Sequence, residues 1–316
     1  MEYDPVERLT RFPGLNHDFS EIHALSQMPG AELHETKWHL VIYVPGRDRL
    51  VFCFDNIASI TAEGPRQPWG MALVRKQGWG VVGVVPKLPD WYRSPELFDV
   101  LEDMRDRSVF AAYPAVSMFG TSMGAFAATV FAPLAPGCTV LGLAPQSSLA
   151  PDLVPFEDRY DWAVSALDWT SPRYRDAAEG VRAAGKVYFI YDRNIEPDRM
   201  HVDRMRGDNV IDLRWRNLTH KVPPRLRRMG ILEPIALEGL AGTLTRERYF
   251  ALLRKRRDCP IYLVEMLQDA VSRGHLDLAK AALATVPPER RNWRLRQMSR
   301  IIRRAIAERD RAAVEE

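Results

Sequence analysis

The sequence predicts an α/β chain: a mostly parallel central sheet flanked by helices, followed by an all-helical extension. Three observations predict it. The run "WGVVGVVP" (79–86) is continuously apolar and β-branched, as a strand buried on both faces requires. From residue 69 onward strand-like and helix-like stretches alternate, and right-handed crossovers turn that alternation into a helix-flanked parallel sheet. From about residue 225 the strand signals stop.

Taken in order, residues 38–56 ("WHLVIYVPGRDRLVFCFDN") hold two apolar runs around a Pro-Gly turn and are read as a hairpin. The stretch "WGMALVRKQG" (69–78) is helix-compatible and leads into the strand at 79–86. Ser94 is placed to cap a helix with Pro95 at its first position and Leu97, Val100, Leu101 and Met104 on one face. "AVSMF" (115–119) enters a glycine-bounded turn, "MGAFAATVFAPL" follows as a small-residue helix, and "CTVLGLA" (138–144) is the next buried strand. "KVYFIYD" (186–192) and "NVIDLRW" (209–215) supply two more. The tail ("YFALLRKRR", "IYLVEMLQDAVSRG", "HLDLAKAALATV") reads as consecutive helices broken at Pro260, Gly274 and Pro287-Pro288. Residues 261–286 resemble one helical hairpin of a tetratricopeptide-like array, but one hairpin is not a repeat. The expected organisation is an N-terminal segment (1–37) with no interpretable motif, a core (38–230) and a helical region (231–316).

A chain of 316 residues is long enough for one large α/β domain with an appendage, and 46% hydrophobic with 27% charged residues is ordinary for a globular protein. A net charge of +3 against 44 basic and 41 acidic residues gives no reason to expect nucleic acid or an anionic membrane as partner. Three cysteines, Cys53, Cys138 and Cys259, lie too far apart for a disulfide framework or a metal knuckle, and Cys53 and Cys138 read as buried small hydrophobes. The start, "MEYDPVERLTRF", carries acids and no apolar h-region, and no stretch approaches the roughly 18 apolar residues of a membrane span. A cytoplasmic location without a membrane span is expected.

Chemistry centres on "GTSMG" (120–124), which sets Ser122 between two glycines after a strand and before a helix. Ser122 must then sit on a strained turn, so Gly120 and Gly124 keep bulk away from it. A serine hydroxyl needs a base and an orienting acid to act as a nucleophile at neutral pH. Of seven histidines only His201, His220 and His275 follow Ser122. His220 lies in the polar, proline-broken loop "RWRNLTHKVPP" after the last strand and is the expected base; His201 reads as a helix-surface residue and His275 as a helix start. The loop after "KVYFIY" offers Asp192, Glu196, Asp198 and Asp203 as the acid; Asp192, at the strand end, is favoured, with Asp198 as the alternative. The developing oxyanion would take the backbone N–H of Met123 and one from Asn56 or Ile57 in "FDNIAS".

Over roughly residues 38–230 the chain resembles an α/β-hydrolase-fold serine hydrolase, on "GTSMG", on "YD" after the seventh-strand-like run and on "LTH" after the eighth. It is similar in particular to bacterial hydrolase-like proteins in which GxSMGxxxA is followed by a strand ending in a Pro-Gln pair, here Pro145-Gln146; some of these resemble proteins associated with surface polysaccharides. Asp55-Asn56 stands where that fold familiarly has His-Gly. The resemblance implies a Ser-His-Asp triad cleaving a carboxylic ester or thioester, with a small-molecule or saccharide ester as substrate and no metal or organic cofactor. By analogy Gln146 lines the pocket. An acyltransferase with the same triad and a non-catalytic binding or scaffold module are the alternatives.

Two stretches bear on substrate and partners. Residues 150–180 fall where this fold often inserts a lid and contain Phe156, Tyr160, Trp162, Trp169 and Tyr174, aromatics that more often simply pack a helical excursion. "RRNWRLRQMSRIIRR" (290–304) carries seven arginines, with Trp293, Met298, Ile301 and Ile302 on one helical face. A solvated terminal helix is the plainer reading; a protein partner contacting the C-terminal helices is the sharper one.

Overall fold

The computed structural model describes residues 9–315; residues 1–8, the acid-bearing start read as lacking a leader, lie outside them, as does Glu316. Among the described residues one sheet holds β1 (Glu32–Glu35), β2 (His39–Val44), β3 (Leu50–Phe54), β4 (Gly80–Pro86), β5 (Val116–Thr121), β6 (Thr139–Leu143), β7 (Lys186–Ile190) and β8 (Val210–Asp212), in the order β1-β2-β4-β3-β5-β6-β7-β8. β1 and β4 both pair antiparallel with β2, and every other join is parallel, so β2 alone runs against the rest.

β4 organises the sheet. Every residue in it is buried, with Val82 and Val84 packing on one face and Val81 and Val85 on the other. Such a strand must lie inside a sheet, where both edges of its backbone find partners. β2 supplies one edge and β3 the other, so the two runs read as a hairpin over 38–56 are separated by β4 rather than paired. Burying a valine side chain contributes about 1.5 kcal/mol or more, and four of them outweigh the local preference of a Pro-Gly turn. The edge strand β1 falls within residues 1–37; its sequence, Glu-Leu-His-Glu, is too short and polar to announce a strand.

Helices Pro95–Asp106, Met123–Val130 and Ala177–Ala183 cover one face of the sheet. Ser94 occupies the N-cap of the first as expected, yet its side chain makes no capping hydrogen bond. The other face is covered by Met71–Arg75, Val222–Arg228, Leu232–Leu240 and Arg246–Leu253. The helices at 232–253 therefore belong to the sheet's own core: Ser117 donates a 2.9 Å hydrogen bond to the Leu240 carbonyl. A separate apolar cluster begins with Pro260–Ser272 and includes Leu276–Ala284 and Trp293–Glu315. In the last helix the buried stripe is Leu295, Met298 and Ile302, while Trp293 and Ile301 face outward, which corrects the face expected from the sequence. No helix among the described residues is long and apolar enough to cross a membrane.

Candidate active site

Parallel strands deliver their carboxyl ends to one edge, and the chemistry-bearing residues gather there. β5 ends at Thr121, the helix Met123–Val130 starts two residues later, and Ser122 between them has φ 53° and ψ −121°. A non-glycine residue held there costs on the order of 1–3 kcal/mol and persists only where its surroundings enforce it. The Ser122 amide donates to Leu143 of β6 (2.9 Å), and the Ser122 carbonyl accepts from Ala125 and Phe126. The glycines are dictated by space: a Cβ on Gly120 would lie 2.1 Å from the Gly124 carbonyl oxygen, and one on Gly124 would lie 2.6 Å from the Phe54 and Asp55 carbonyls. Trp91, Tyr92, Ala144 and Thr219, in loops that follow β4, β6 and β8, also have positive φ.

His220 reaches the elbow from the loop after β8. Its Nε2 lies 2.9 Å from Ser122 Oγ, and its Nδ1 lies 2.8 and 3.0 Å from the two carboxylate oxygens of Asp198. A proton on Nδ1 facing the carboxylate leaves Nε2 to accept from the serine hydroxyl, the tautomer a general base needs. Strand, strained serine, helix and a histidine past the last strand together decide the architecture. The fold is the α/β-hydrolase fold.

The favoured acid is corrected. Asp192 does not face His220: its two oxygens accept from the backbone amides of Asn194 (2.9 Å) and Thr219 (2.7 Å). The Asp192 backbone, just beyond β7, makes a bridge with Trp215, and its carboxylate is engaged by these two amides. Burial raises its pKa, against the pull of those hydrogen bonds. Asp198, the alternative, stands in the first turn of the helix Glu196–Arg204 and is fully buried.

His201 is also buried, not on the helix surface. The Ser147 amide donates to its Nδ1 (3.1 Å), so Nε2 carries the proton toward Glu157 Oε2 at 2.9 Å. Arg159 joins this group to the candidate acid, with Nη1 2.8 Å from Asp198 Oδ1 and other donors on Glu157. Ser147, His201 and Glu157 mimic a triad in composition, but all are closed to solvent and the histidine has the opposite tautomer to His220. They act as a buried brace for Arg159.

The brace makes stability pH-dependent. Burial would raise the Glu157 carboxyl, but hydrogen bonds from Arg159 and His201 outweigh it and bring it from 4.5 down to about 2. Burial holds His201 below its ordinary 6.5, Glu157 opposing. Below about pH 6.5 the unfolded chain binds the histidine proton more readily than the folded one, and below about 4.5 the same holds for Glu157. Stability is therefore expected to fall as pH drops from 6.5 toward 2, the Glu157 share amounting to about 3 kcal/mol. Urea midpoints across this range check it: Glu157→Gln flattens the slope below pH 4.5, and an unchanged slope contradicts it.

Of the expected oxyanion groups, the Met123 amide opens its helix and so has no intrahelical acceptor. The Asn56 side chain caps Ile57–Ile60, accepting from the Ala58 amide (3.0 Å) and donating to Ser59 Oγ (3.1 Å), which leaves only the backbone amides of Asn56 and Ile57 for that role. Asp55, in place of the familiar histidine, is buried against Arg66 (2.8 Å) and accepts from the Trp69 amide, so it braces the loop rather than facing Ser122. Gln146 is fully buried; its Oε1 accepts from the Trp91 indole at 2.9 Å, and its Nε2 has no partner among the described residues.

Most aromatics of 150–180 pack inward: Trp169 against Phe126, Tyr174 against Phe131, Phe156 against His201. Tyr160 differs. Its hydroxyl lies 3.5 Å from His220 Nε2, and its ring stands 5.0 Å from that of Trp91. Sequence reasoning did not single out Tyr160, Arg159 or Glu157 as site residues; the available signal was Glu-x-Arg-Tyr (157–160) in the candidate lid, with Asp198 and His201 one turn apart on one helix face. A cavity of about 810 Å³ beside Trp69, Phe119 and Leu237 is lined by none of Ser122, His220 and Asp198. The hydrogen-bond geometry, not that volume, locates the candidate site.

No protein-family model matches the chain, and no curated protein does. Among solved structures the chain is similar to a bacterial heroin esterase, with a TM-score of 0.48 and 15% identity over 78% of this chain and 97% of that one. It is similar to the capsule O-acetyltransferase of Neisseria meningitidis serogroup A (TM-score 0.44, 10% identity, 75% of this chain and 99% of that one). A third is carboxyl esterase 2 of the fungus Tuber melanosporum (0.42, 12%, 76% and 99%).

Proposed function

We propose that the protein is a serine hydrolase that cleaves a carboxylic ester or thioester through an acyl-enzyme on Ser122. The observation that carries this reading is the continuous hydrogen-bonded line from Ser122 Oγ through both nitrogens of His220 to Asp198. Ser122 attacks the carbonyl carbon as its proton passes to Nε2. Asp198 holds the imidazole in the required tautomer and stabilises the imidazolium that forms. The Met123 amide, with one from Asn56 or Ile57, faces the developing oxyanion. His220 then returns the proton to the leaving oxygen or sulfur, and water releases the acyl group.

Ser122, His220 and Tyr160 are all partly exposed. The test is rapid mixing with p-nitrophenyl acetate. A burst of nitrophenol close to one equivalent per chain, followed by slower turnover, is the expected result. Release at the rate of the uncatalysed reaction by a well-folded protein overturns the reading.

A further inference from the structure

We propose that Tyr160 is a catalytic residue that holds the incoming hydroxyl, of water or of an alcohol acceptor, while it takes the acyl group from Ser122. The proposal rests on the reading of Ser122 as the acylated nucleophile.

In the free protein His220 Nε2 accepts the Ser122 hydroxyl proton. Once Oγ is esterified that proton is gone and Nε2 is free to accept one, and acyl transfer requires that it come from the next nucleophile. That oxygen must lie about 2.8 Å from Nε2 and near the acyl carbon on Oγ. The Tyr160 oxygen is 3.5 Å from Nε2. Two atoms that far apart share a set of points within hydrogen-bond reach of both. A hydroxyl there is fully engaged: its proton goes to Nε2, one lone pair attacks the carbonyl carbon, and the other accepts from the Tyr160 O–H.

The tyrosine is fixed for this task. Its carbonyl accepts from the Ala163 and Val164 amides at the start of Asp161–Val164, and its ring packs on Trp91. Its neighbour Arg159 is tied to Asp198 and Glu157. Burial raises the phenol pKa, with Arg159 and the Ser122 hydroxyl opposing, so the group remains a proton-bearing donor near neutral pH. The step balances: a bond forms from the incoming oxygen to the acyl carbon, its proton moves to Nε2, the bond from carbon to Oγ breaks, and that proton returns to Oγ. Tyr160 contributes a hydrogen bond and loses no proton.

The test loads the full-length protein with acetyl from p-nitrophenyl acetate, removes the ester and follows loss of the acyl mass by intact-mass spectrometry. The expected result for Tyr160→Phe is acyl decay slowed at least tenfold, with loading changed less than threefold, because nitrophenol leaves without acid assistance. Methanol added as acceptor accelerates decay of the wild type more than that of the variant. Equal decay in the two proteins, or slowing confined to loading, overturns the proposal. Failure of the serine reading looks different: no acyl mass on the wild type, or acyl mass retained on Ser122→Ala.

Discussion

Asp198→Asn lowers kcat by about 10⁴-fold while Asp192→Asn lowers it no more than about tenfold. The contrast follows from what each carboxylate touches. Asp198 places both oxygens on His220 Nδ1, so an amide at that position favours the wrong tautomer and leaves Nε2 protonated toward the serine. It also takes one acceptor from Arg159, whose guanidinium the mutation leaves short of a charge partner. Asp192 instead accepts from two backbone amides, one of them Thr219 at φ 57° immediately before His220. Asparagine there retains one acceptor and turns an amino group toward a backbone N–H, a cost of about 1–3 kcal/mol in stability. Steady-state kinetics paired with urea unfolding reads both effects; a larger kcat loss at Asp192 reverses the assignment of the acid.

Ser122→Ala lowers kcat by about 10⁵-fold or more, with the protein still folded. The serine side chain contacts His220, whereas the elbow is held by its backbone and by the tight approach of Gly120 and Gly124. Alanine meets the same strain at φ 53° as serine, so the unfolding free energy is expected to change by no more than about 1 kcal/mol. A variant that retains a tenth of the activity contradicts a covalent role for the residue.

Much of the sheet is legible in the sequence because its strands are apolar on both faces, and the elbow because glycine spacing and flanking periodicity coincide. The 38–56 region is misread because strand pairing is a tertiary choice: β4, distant in sequence, has the stronger claim on both neighbours. β1 is missed because a four-residue polar edge strand takes its stability from β2 rather than from its own pattern. The proximity of Ser122 and His220 follows from chain order, since both sit at carboxyl ends of parallel strands. The choice between Asp192 and Asp198 does not, because it depends on which way a carboxylate turns over a few residues. The Glu157–Arg159–His201 brace arises between a loop and a helix some forty residues apart, and no local pattern marks that contact.

Labelling with a fluorophosphonate, followed by intact mass and peptide mapping, tests whether the serine at the elbow is activated. A single adduct is expected on the peptide carrying Ser122, absent in Ser122→Ala and formed far more slowly in His220→Ala. A folded protein that stays unlabelled, or an adduct on any other residue, contradicts it.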